Sequence, residues 1–454
     1  MSTLIIKNAS VIATCNKKDE VLYDADILIK ENLVHKIGSI TEKADETIDG
    51  RGKVVIPGLI NTHHHLYQTL TRNIPQVQNA KLFDWLKYLY GVWRHIDKEA
   101  VDISTRVGVG ELLLTGCTTT SDHLYVHPDG RGDRFIDVEI KAAADMGIRF
   151  HPTRGSMSLG EEDGGLPPQD VIQTEEKILA ESARIIDSYH DASEHSMCRI
   201  VLAPCSPFSV TEEIMAETRR LAREKGVYMH THLAETKDEE DFCIESHGLR
   251  PLAYMEKVGW LGHDVWFAHC VHLDDSEIEM LAATGSGVAH CPTSNLRLGS
   301  GIAPVRKMLD KGVSVSLAVD GSASNDSSDM LGELRMALLS ARHKSGVDSM
   351  GAKDVLSMAT RGGAKVLGRD DIGSISPGKC ADIAVFDVNR LDYAGAGSDY
   401  IAALIFAGSC HFAHTVIVNG RIRVSEGRLQ DVDTVMLTEK ANMISRRLRK
   451  KKGA

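Results

Sequence analysis

The middle of the chain alternates between short apolar runs and longer stretches with helical periodicity. Short apolar runs are typical of buried strands, and apolar residues at three- and four-residue intervals are typical of amphipathic helices. This alternation predicts α/β architecture with parallel β/α units, and eight units predict a closed, TIM-like (β/α)8 barrel. The eight runs are 54–61, 117–123, 148–154, 200–205, 227–232, 265–270, 287–291 and 313–320.

Both ends of the chain have the pattern of short strands separated by turns. The strand-like segments are 4–12, 25–30 and 33–37 near the start and 381–387 and 415–421 near the finish. Neither end has enough strands for a stable sheet of its own, so we expect the two ends to pair into one small composite β-sandwich. The predicted domains are 1–56 for the first part of the sandwich, 57–371 for the barrel, and 372–454 for the second part and a C-terminal tail.

Composition narrows the class of protein. Of the 454 residues, 43% are hydrophobic and 25% are charged, which supplies a large core and argues against widespread disorder. The formal net charge of −11 disfavours nucleic acids and anionic membranes as partners. The nine cysteines include no Cys-x-x-Cys pair, and no apolar stretch is long enough for a membrane span. We expect a cytoplasmic homo-oligomer with no membrane or nucleic-acid partner.

Polar residues concentrate at the C-terminal ends of the predicted strands. His63 and His65 follow the first strand, His232 ends the fifth and Asp320 ends the eighth. In a (β/α)8 barrel this rim carries the active site. Because residues i and i+2 of a strand share a face, His63 and His65 can point together into the barrel mouth. Two imidazoles on one face favour zinc or iron, although the motif standing alone also fits a polar surface turn.

The fifth and sixth strands add further candidates. His230 and His232 share a face, and we favour His232 as a ligand because it lies nearer the rim, with His230 as the alternative. Glu235 follows where the chain leaves the strand, within reach of a water molecule at the metal. His269 ends the sixth strand, where a buried core histidine is an equal alternative. The charge of Asp320 at the end of a buried strand requires a partner, which a metal ion supplies.

Five motifs join these candidates to their neighbours, at 57–65, 230–235, 268–270, 320–326 and 377–384. At these motifs the chain resembles the amidohydrolase superfamily, and within it the branch of guanine deaminases and triazine hydrolases. The resemblance covers nearly the whole chain and implies the same split sandwich around a barrel. Segments 65–73, 122–125 and 154–160 most resemble 8-oxoguanine deaminases, and triazine hydrolases and pterin deaminases share parts of them.

The resemblance also implies roles for individual residues. The implied metal ligands are His63, His65, His232 and Asp320. The implied catalytic residues are Glu235, His269 and Asp320, the last also accepting a proton from the attacking water. The fourth strand lacks the bridging lysine that two-metal members carry, which indicates one divalent ion per chain, zinc or alternatively iron.

The implied activity is metal-dependent hydrolytic deamination of an amino-substituted heterocycle, with 8-oxoguanine converted to urate and ammonia. The alternatives are a pterin (isoxanthopterin) deaminase, a hydrolase of hydroxylated or chlorinated s-triazines, and a non-catalytic scaffold, which the complete ligand set disfavours. We expect Gln68, His123 and Arg154 to hold the substrate, with a purely structural role in loops as the alternative. The helical aromatic residues Trp85 and Tyr88 we interpret as packing.

Overall fold

The structure, a computed structural model that describes residues 2–408 and 411–452, is built from two sheets and the helices that cover them. The strands are β1 (Thr3–Ala13), β2 (Val21–Lys30), β3 (Leu33–Gly38), β4 (Glu46–Asp49), β5 (Lys53–Pro57), β6 (Leu59–Asn61), β7 (Cys117–Leu124), β8 (Arg149–Ser156), β9 (Val201–Pro204), β10 (Tyr228–Leu233), β11 (Val265–His269), β12 (Gly287–His290), β13 (Ser314–Leu317), β14 (Ile383–Asp387), β15 (Thr415–Val418), β16 (Arg421–Ser425) and β17 (Arg428–Leu429).

The α-helices connect and cover these strands. They are α1 (Leu82–Trp93), α2 (Lys98–Leu114), α3 (Phe135–Met146), α4 (Glu175–Tyr189), α5 (Glu212–Lys225), α6 (Lys237–His247), α7 (Pro251–Lys257), α8 (Asp275–Thr284), α9 (Pro292–Arg297), α10 (Val305–Asp310), α11 (Met330–Ser345), α12 (Ala352–Ser357), α13 (Gly363–Val366), α14 (Tyr400–Phe406) and α15 (Thr434–Lys452). Single 3-10 turns lie at Leu66–Thr71, Pro75–Val77, Glu161–Asp163, Gln169–Val171 and Leu391–Tyr393, and a π-helical turn lies at Met358–Gly362.

Strands β6 to β13 form the predicted parallel barrel. They follow one another in sequence order, each hydrogen-bonded to the next. The first and last strands meet through backbone and side-chain bonds: the Thr62 N–H donates to the Leu317 carbonyl (3.3 Å), and the Val319 N–H donates to Asn61 Oδ1 (2.9 Å). The prediction of a (β/α)8 barrel is confirmed.

Both chain ends contribute to the second sheet, as predicted. Its hydrogen-bonded order is β17-β16-β15-β14-β5-β1-β2-β3, with β4 beside β1. Strand β5 from the first part of the chain runs antiparallel to β14 from the last part, with Val55 opposite Val385. Side chains from both ends, including Ile6, Ile27 and Ile417, share one buried core. Neither end therefore completes this sheet without the other.

The first predicted strand, 54–61, is two strands in the structure. Pro57 ends β5 in the second sheet, and Leu59–Asn61 begins the barrel. Gly58 lies between them, and a Cβ at this position would be 2.1 Å from Thr118 Oγ1, so a side chain does not fit without displacing Thr118. The expectation of one continuous strand is wrong because apolar runs do not indicate which sheet a residue joins.

The last helix, α15, packs against α1 and α2 on the outside of the barrel. Its buried face includes Ile444 and Leu448. At the start of α2, the Arg447 guanidinium pairs with the carboxylates of Asp97 (2.8 Å) and Glu99 (2.9 Å). The C-terminal segment thus completes the helical layer of the barrel. Among the described residues, no helix is long and apolar enough to cross a membrane.

A buried ion pair joins the barrel to the second sheet. Arg149 of β8 donates from Nε to Asp382 Oδ2 (2.9 Å), and neither side chain is more than 2% exposed. Two backbone carbonyls, of His195 and Ser196, accept hydrogen bonds from Arg149 Nη1, and the Asn419 N–H donates to Asp382 Oδ1 (2.6 Å). Because the remaining donors and acceptors are satisfied, removing one charge leaves the other buried without a partner.

We therefore expect Asp382→Asn to lower the free energy of unfolding by about 3–5 kcal/mol, the usual cost of breaking a buried pair from one side. Urea unfolding of the variant and the wild type measures the loss. Glu217→Gln is the matched control, because Glu217 pairs with Arg220 on an exposed helix surface, and its midpoint should not move. Equal losses in the two variants would contradict the stabilising role of the buried pair.

Candidate metal centre and active site

Four strand ends bring five ionisable side chains to one rim of the barrel. His63 and His65 follow β6, His232 lies in β10, His269 ends β11 and Asp320 follows β13, and all five are buried. Asp320 Oδ1 lies 3.2 Å from His63 Nε2 and 3.3 Å from His65 Nε2. The Nε2 atoms of His65 and His232 are 3.1 Å apart. The structure thus brings the four residues expected to bind metal into one cluster.

Hydrogen bonds on the far side of two rings determine which nitrogen faces this cluster. His65 Nδ1 donates to the His123 carbonyl (2.7 Å), and His232 Nδ1 donates to the Cys205 carbonyl (2.6 Å). A carbonyl oxygen can only accept, so the hydrogen of each neutral ring is on Nδ1. Each Nε2 therefore presents a lone pair to the centre of the cluster, as a metal ligand must.

The ring of His63 is oriented in the same way by His230. His230 Nδ1 donates to the Trp266 carbonyl (2.9 Å), and its ring stacks on the Trp266 ring with centroids 4.6 Å apart. His230 Nε2 is then an acceptor, so His63 Nδ1 donates to it at 2.7 Å and His63 Nε2 carries the lone pair. Of the two histidines that the sequence left as alternatives, His232 faces the cluster and His230 lies behind His63.

The cluster has the geometry of a site for a divalent cation. Lone pairs facing each other at 3.1 Å repel, whereas two nitrogen ligands of a tetrahedral zinc ion lie about 3.3 Å apart. His63 Nε2 is buried and has no hydrogen-bond partner among the described residues. Burial holds the pKa of His63 and of His232 well below the usual value, which keeps both rings neutral. Three imidazoles and one carboxylate are a donor set that zinc and similar ions accept.

Asp320 is held in place by its neighbours. Its Oδ2 accepts hydrogen bonds from Ser294 Oγ (2.5 Å) and Ser324 Oγ (3.1 Å), and its N–H donates to the His63 carbonyl (3.1 Å). Its backbone φ of 62° lies in the left-handed region, which is strained for a residue other than glycine. Strain of this kind at the end of a barrel strand is common at functional sites.

Glu235 and His269 form a second pair beside the cluster. Glu235 Oε2 lies 3.6 Å from His269 Nε2, and Glu235 Oε1 accepts from Ser300 Oγ (3.3 Å). His269 Nδ1 donates to Asn295 Oδ1 (2.8 Å). Burial raises the pKa of Glu235. Burial acts to lower the pKa of His269, but the carboxylates of Glu235 and Asp320 outweigh it, so the pKa of His269 is also raised. A carboxyl and an imidazole arranged in this way can exchange and relay a proton.

Glu239 positions Glu235 and was not identified from the sequence. It lies in the first turn of α6 and is fully buried, and its carboxylate accepts from the N–H groups of Ala234 and Glu235, both at 2.8 Å. These bonds hold the turn in which Ala234 adopts a φ of 51°. The sequence contained one signal that could have identified Glu239: Thr236 is followed three residues later by Glu239, which is the pattern of a helix capping box.

A pocket opens above the cluster and is lined by both apolar and polar side chains, as small-molecule sites are. Helix α1 covers one side with Trp85 and Tyr90, so Trp85, interpreted from the sequence as a packing residue, also lines the pocket. The Tyr90 hydroxyl is buried without a hydrogen-bond partner among the described residues. The remaining lining residues are His65, Gln68, Leu82, Leu86, Tyr125, Cys205, Phe208, His232, Glu235, His269, Leu298, Asp320 and Ser324.

The three residues expected to hold a substrate have different positions. Gln68 lines the pocket, and its Oε1 accepts from the Ala323 N–H at 3.3 Å. His123 stacks on His232 with ring centroids 4.8 Å apart and donates from Nε2 to the Ala203 carbonyl, below the pocket lining. Arg154 lies in a separate cavity on the outer side of the barrel strands. The structure thus brings Gln68 to the pocket, and Arg154 is not part of it.

Comparison with known proteins agrees with this geometry. The model of the amidohydrolase family matches residues 54–423. The chain belongs to the amidohydrolase family. This amidohydrolase is 44% identical to an 8-oxoguanine deaminase of Pseudomonas aeruginosa over 96% of the chain and 97% of that protein. It is 34% identical to an isoxanthopterin deaminase from an unknown prokaryotic organism, over 98% of the chain and 97% of that protein.

Solved structures show the same architecture. The atrazine chlorohydrolase of Arthrobacter aurescens TC1, crystallised in complex with zinc, has a TM-score of 0.94 to this amidohydrolase at 34% identity. The match covers 97% of this chain and 100% of the other. Together with the buried histidine cluster, this similarity supports a divalent-metal site in the amidohydrolase.

We expect the purified amidohydrolase to hold one divalent ion per chain. Asp320→Asn replaces the only carboxylate of the proposed ligand set by a neutral amide and should weaken metal binding at least about 100-fold. Elemental analysis after dialysis against a chelator measures the metal content. Asp326→Asn is the control, because Asp326 lies in the same segment but pairs with Arg297 (3.1 Å) away from the cluster. Two tightly held equivalents, or unchanged metal content in Asp320→Asn, would contradict this assignment.

Proposed function

We propose that this amidohydrolase is a zinc-dependent hydrolytic deaminase that converts 8-oxoguanine to urate and ammonia. The observation that carries the proposal is a complete set of candidate ligands, with Glu235 and His269 beside it, in a chain 44% identical to an 8-oxoguanine deaminase. The zinc-complexed structure of a related chlorohydrolase supports zinc as the ion. The four proposed zinc ligands are His63, His65, His232 and Asp320.

The proposed mechanism assigns proton transfers to Asp320 and Glu235 and a hydrogen bond to His269. Bound zinc supplies Lewis acidity, which makes water a competent nucleophile near neutral pH. Asp320 accepts a proton from the attacking water and returns it to the departing amino group. Glu235 donates a proton to the ring nitrogen next to the carbon under attack, so that negative charge does not accumulate on the heterocycle, and it recovers a proton from the new hydroxyl group as the amino group departs. His269 donates a hydrogen bond to the oxygen of the attacking water, which becomes negative as the water loses its proton.

The pocket lining supports recognition of an oxygenated heterocycle. The Tyr90 hydroxyl, which has no partner in the part of the chain that the structure describes, can donate to a substrate carbonyl, and Gln68 retains its amide N–H groups as further donors. 8-Oxoguanine carries a carbonyl where guanine has only C8–H, so guanine leaves such a donor unmet. An unmet buried polar group costs about 1–3 kcal/mol, equivalent to roughly 5- to 150-fold in kcat/KM.

Two alternative substrates have support of their own. Isoxanthopterin presents a similar oxygenated edge on a wider ring, and an isoxanthopterin deaminase is 34% identical to this chain. An s-triazine is the other alternative substrate, because the atrazine chlorohydrolase has the same fold and is 34% identical to this chain. Release of ammonia indicates deamination, whereas release of chloride indicates hydrolysis of a chlorinated triazine. The non-catalytic scaffold is disfavoured because the candidate ligands and Glu235 are all present and buried together.

For the proton relay, we expect Glu235→Gln to retain its metal and its thermal midpoint but to lose at least about 100-fold in kcat, the usual scale for general acid–base catalysis. Steady-state ammonia release and elemental analysis of the same preparation measure both properties. Glu245→Gln, on the exposed face of α6, is the control and should match the wild type. Turnover of Glu235→Gln within a few-fold of the wild type would exclude Glu235 from proton transfer.

For the substrate, we expect kcat/KM on 8-oxoguanine at least tenfold above that on guanine, measured side by side with isoxanthopterin and a hydroxylated aminotriazine. Tyr90→Phe removes the unpartnered hydroxyl and should reduce the discrimination between the two purines. Tyr88→Phe, on the same helix but outside the pocket lining, should leave it unchanged. Preference for guanine, or no ammonia from either purine, would refute 8-oxoguanine as the substrate. Metal-dependent hydrolysis of one of the other heterocycles would then remain the proposed chemistry.

A further inference from the structure

Glu139 is an acidic residue on the apolar face of a helix. It lies in α3, whose other buried residues are all hydrophobic and include Ile136, Ile140 and Met146. The periodicity of this face predicts an apolar side chain, yet Glu139 is only 1% exposed. Acidic side chains are almost never fully buried unless they are paired. A partner for this carboxyl group must therefore lie inside the protein.

That partner is a second acid, Asp122 of β7, which is fully buried. The two carboxyl groups are in hydrogen-bond contact with each other. Within the described ranges, Asp122 Oδ2 and Glu139 Oε2 receive no hydrogen bond from any other donor, and no lysine or arginine forms an ion pair with either side chain. Two buried carboxyl groups in contact, without a cation, cannot both be ionised, so one of them holds a proton.

The proton resides on Glu139. Burial raises the pKa of both groups, and the negative charge of Asp122 raises the pKa of Glu139 further. Asp122 Oδ1 accepts the Leu66 N–H at 2.6 Å, and a hydrogen bond to the charged form of a carboxyl group favours that form. The hydroxyl of the Glu139 carboxyl group therefore donates to the Asp122 carboxylate, and the pair carries one negative charge.

Asp122 and the residue after it hold a proposed metal ligand from both sides. Asp122 Oδ1 binds the N–H of Leu66, the residue that follows His65. The His123 N–H donates to the carbonyl of His64, the residue that precedes His65, at 2.7 Å. The His123 carbonyl accepts the Nδ1–H of the His65 ring, also at 2.7 Å. Two consecutive residues of β7 thus fix the ring of His65 and the backbone on each side of it.

We propose that Glu139 is a positioning residue for the metal site: as a neutral acid it donates to Asp122, and Asp122 holds His65 in place through the Leu66 N–H. This inference rests on the proposed metal site and is independent of which heterocycle is the substrate. Partners that orient a metal ligand from behind typically contribute about 10- to 100-fold to metal affinity. Loss of the Glu139 donor should therefore weaken metal binding by a similar factor.

Two substitutions of Glu139 test this role. Glu139→Gln keeps a neutral donor of the same shape, so zinc affinity should stay within about threefold of the wild type, whereas Glu139→Leu fills the space without a donor and should lower zinc affinity about 10- to 100-fold. Competition with a chromophoric chelator measures the affinity of the full-length protein, and thermal melts show that each variant is folded. Equal losses in the two variants would contradict a neutral Glu139, and an unchanged affinity in Glu139→Leu would contradict its positioning role.

Glu239→Gln is the matched control, because Glu239 is also a buried acid but accepts two N–H groups, those of Ala234 and Glu235, both at 2.8 Å. A glutamine amide there sets N–H against N–H, so Glu239→Gln should lower Tm, whereas Glu139→Gln should not. An equal fall in Tm in the two variants would contradict the assignment of the proton to Glu139.

Asp122→Asn decides the question if Glu139→Leu does not fold. Its Oδ1 still accepts from Leu66 and its amide donates to Glu139, which then takes the negative charge, so zinc affinity should again stay within about threefold of the wild type. A loss of about 10-fold or more would contradict a pair that shares one proton.

Infrared difference spectroscopy of the metal-free protein observes the proton itself. The spectrum of the wild type minus that of Glu139→Gln should contain the C=O stretch of a protonated carboxyl group, and its absence would overturn the proposal. A wild type that binds no zinc but shows this band would refute the proposed metal-dependent function alone. A wild type that binds zinc but lacks the band would refute only the role of Glu139.

Discussion

The histidine cluster depends on hydrogen bonds made behind it. The carbonyls of His123 and Cys205 accept the Nδ1–H of His65 and His232, and the Trp266 carbonyl orients His63 through His230. Together these bonds direct the Nε2 lone pairs of His63, His65 and His232 toward one point. These carbonyls belong to strands β7 and β11 and to the residue after β9. Strand order and register in the barrel therefore determine which nitrogen of each imidazole carries the hydrogen, as well as where each ring lies. A cation at the centre relieves the repulsion that this arrangement creates.

The turns that follow the strands carry the corresponding backbone strain. Ala234, His269 and Asp320 all have φ between 51° and 72°, at a typical cost of about 1–3 kcal/mol each. Buried hydrogen bonds offset this cost where the strain occurs. The Glu239 carboxylate holds the N–H of Ala234, and the Asp320 N–H reaches the His63 carbonyl. The side chains proposed to act in catalysis are thus fixed by the turns rather than by mobile loops.

The cluster was largely predictable from the sequence, and the pocket around it was not. His63, His65, His232 and Asp320 follow apolar runs whose order in a barrel is the order in the chain, so their meeting requires no knowledge of loop structure. Tyr90 reaches the pocket because α1 folds over the barrel mouth, a long-range packing that periodicity does not encode. Arg154 lies two residues before the end of β8, but it faces the helices, and a position near a strand end does not specify that side.

The pairing of β5 with β14 sets the order in which the protein can be assembled during synthesis. β5 emerges from the ribosome with the first fifth of the chain, and β14 follows after the whole barrel, more than 300 residues later. At about 5–20 residues per second, the edge of β5 waits roughly 15–60 s for its partner. An apolar strand edge exposed for that time is a template for intermolecular pairing. We therefore expect the yield of folded protein to depend on the speed of translation and on protection of the nascent chain.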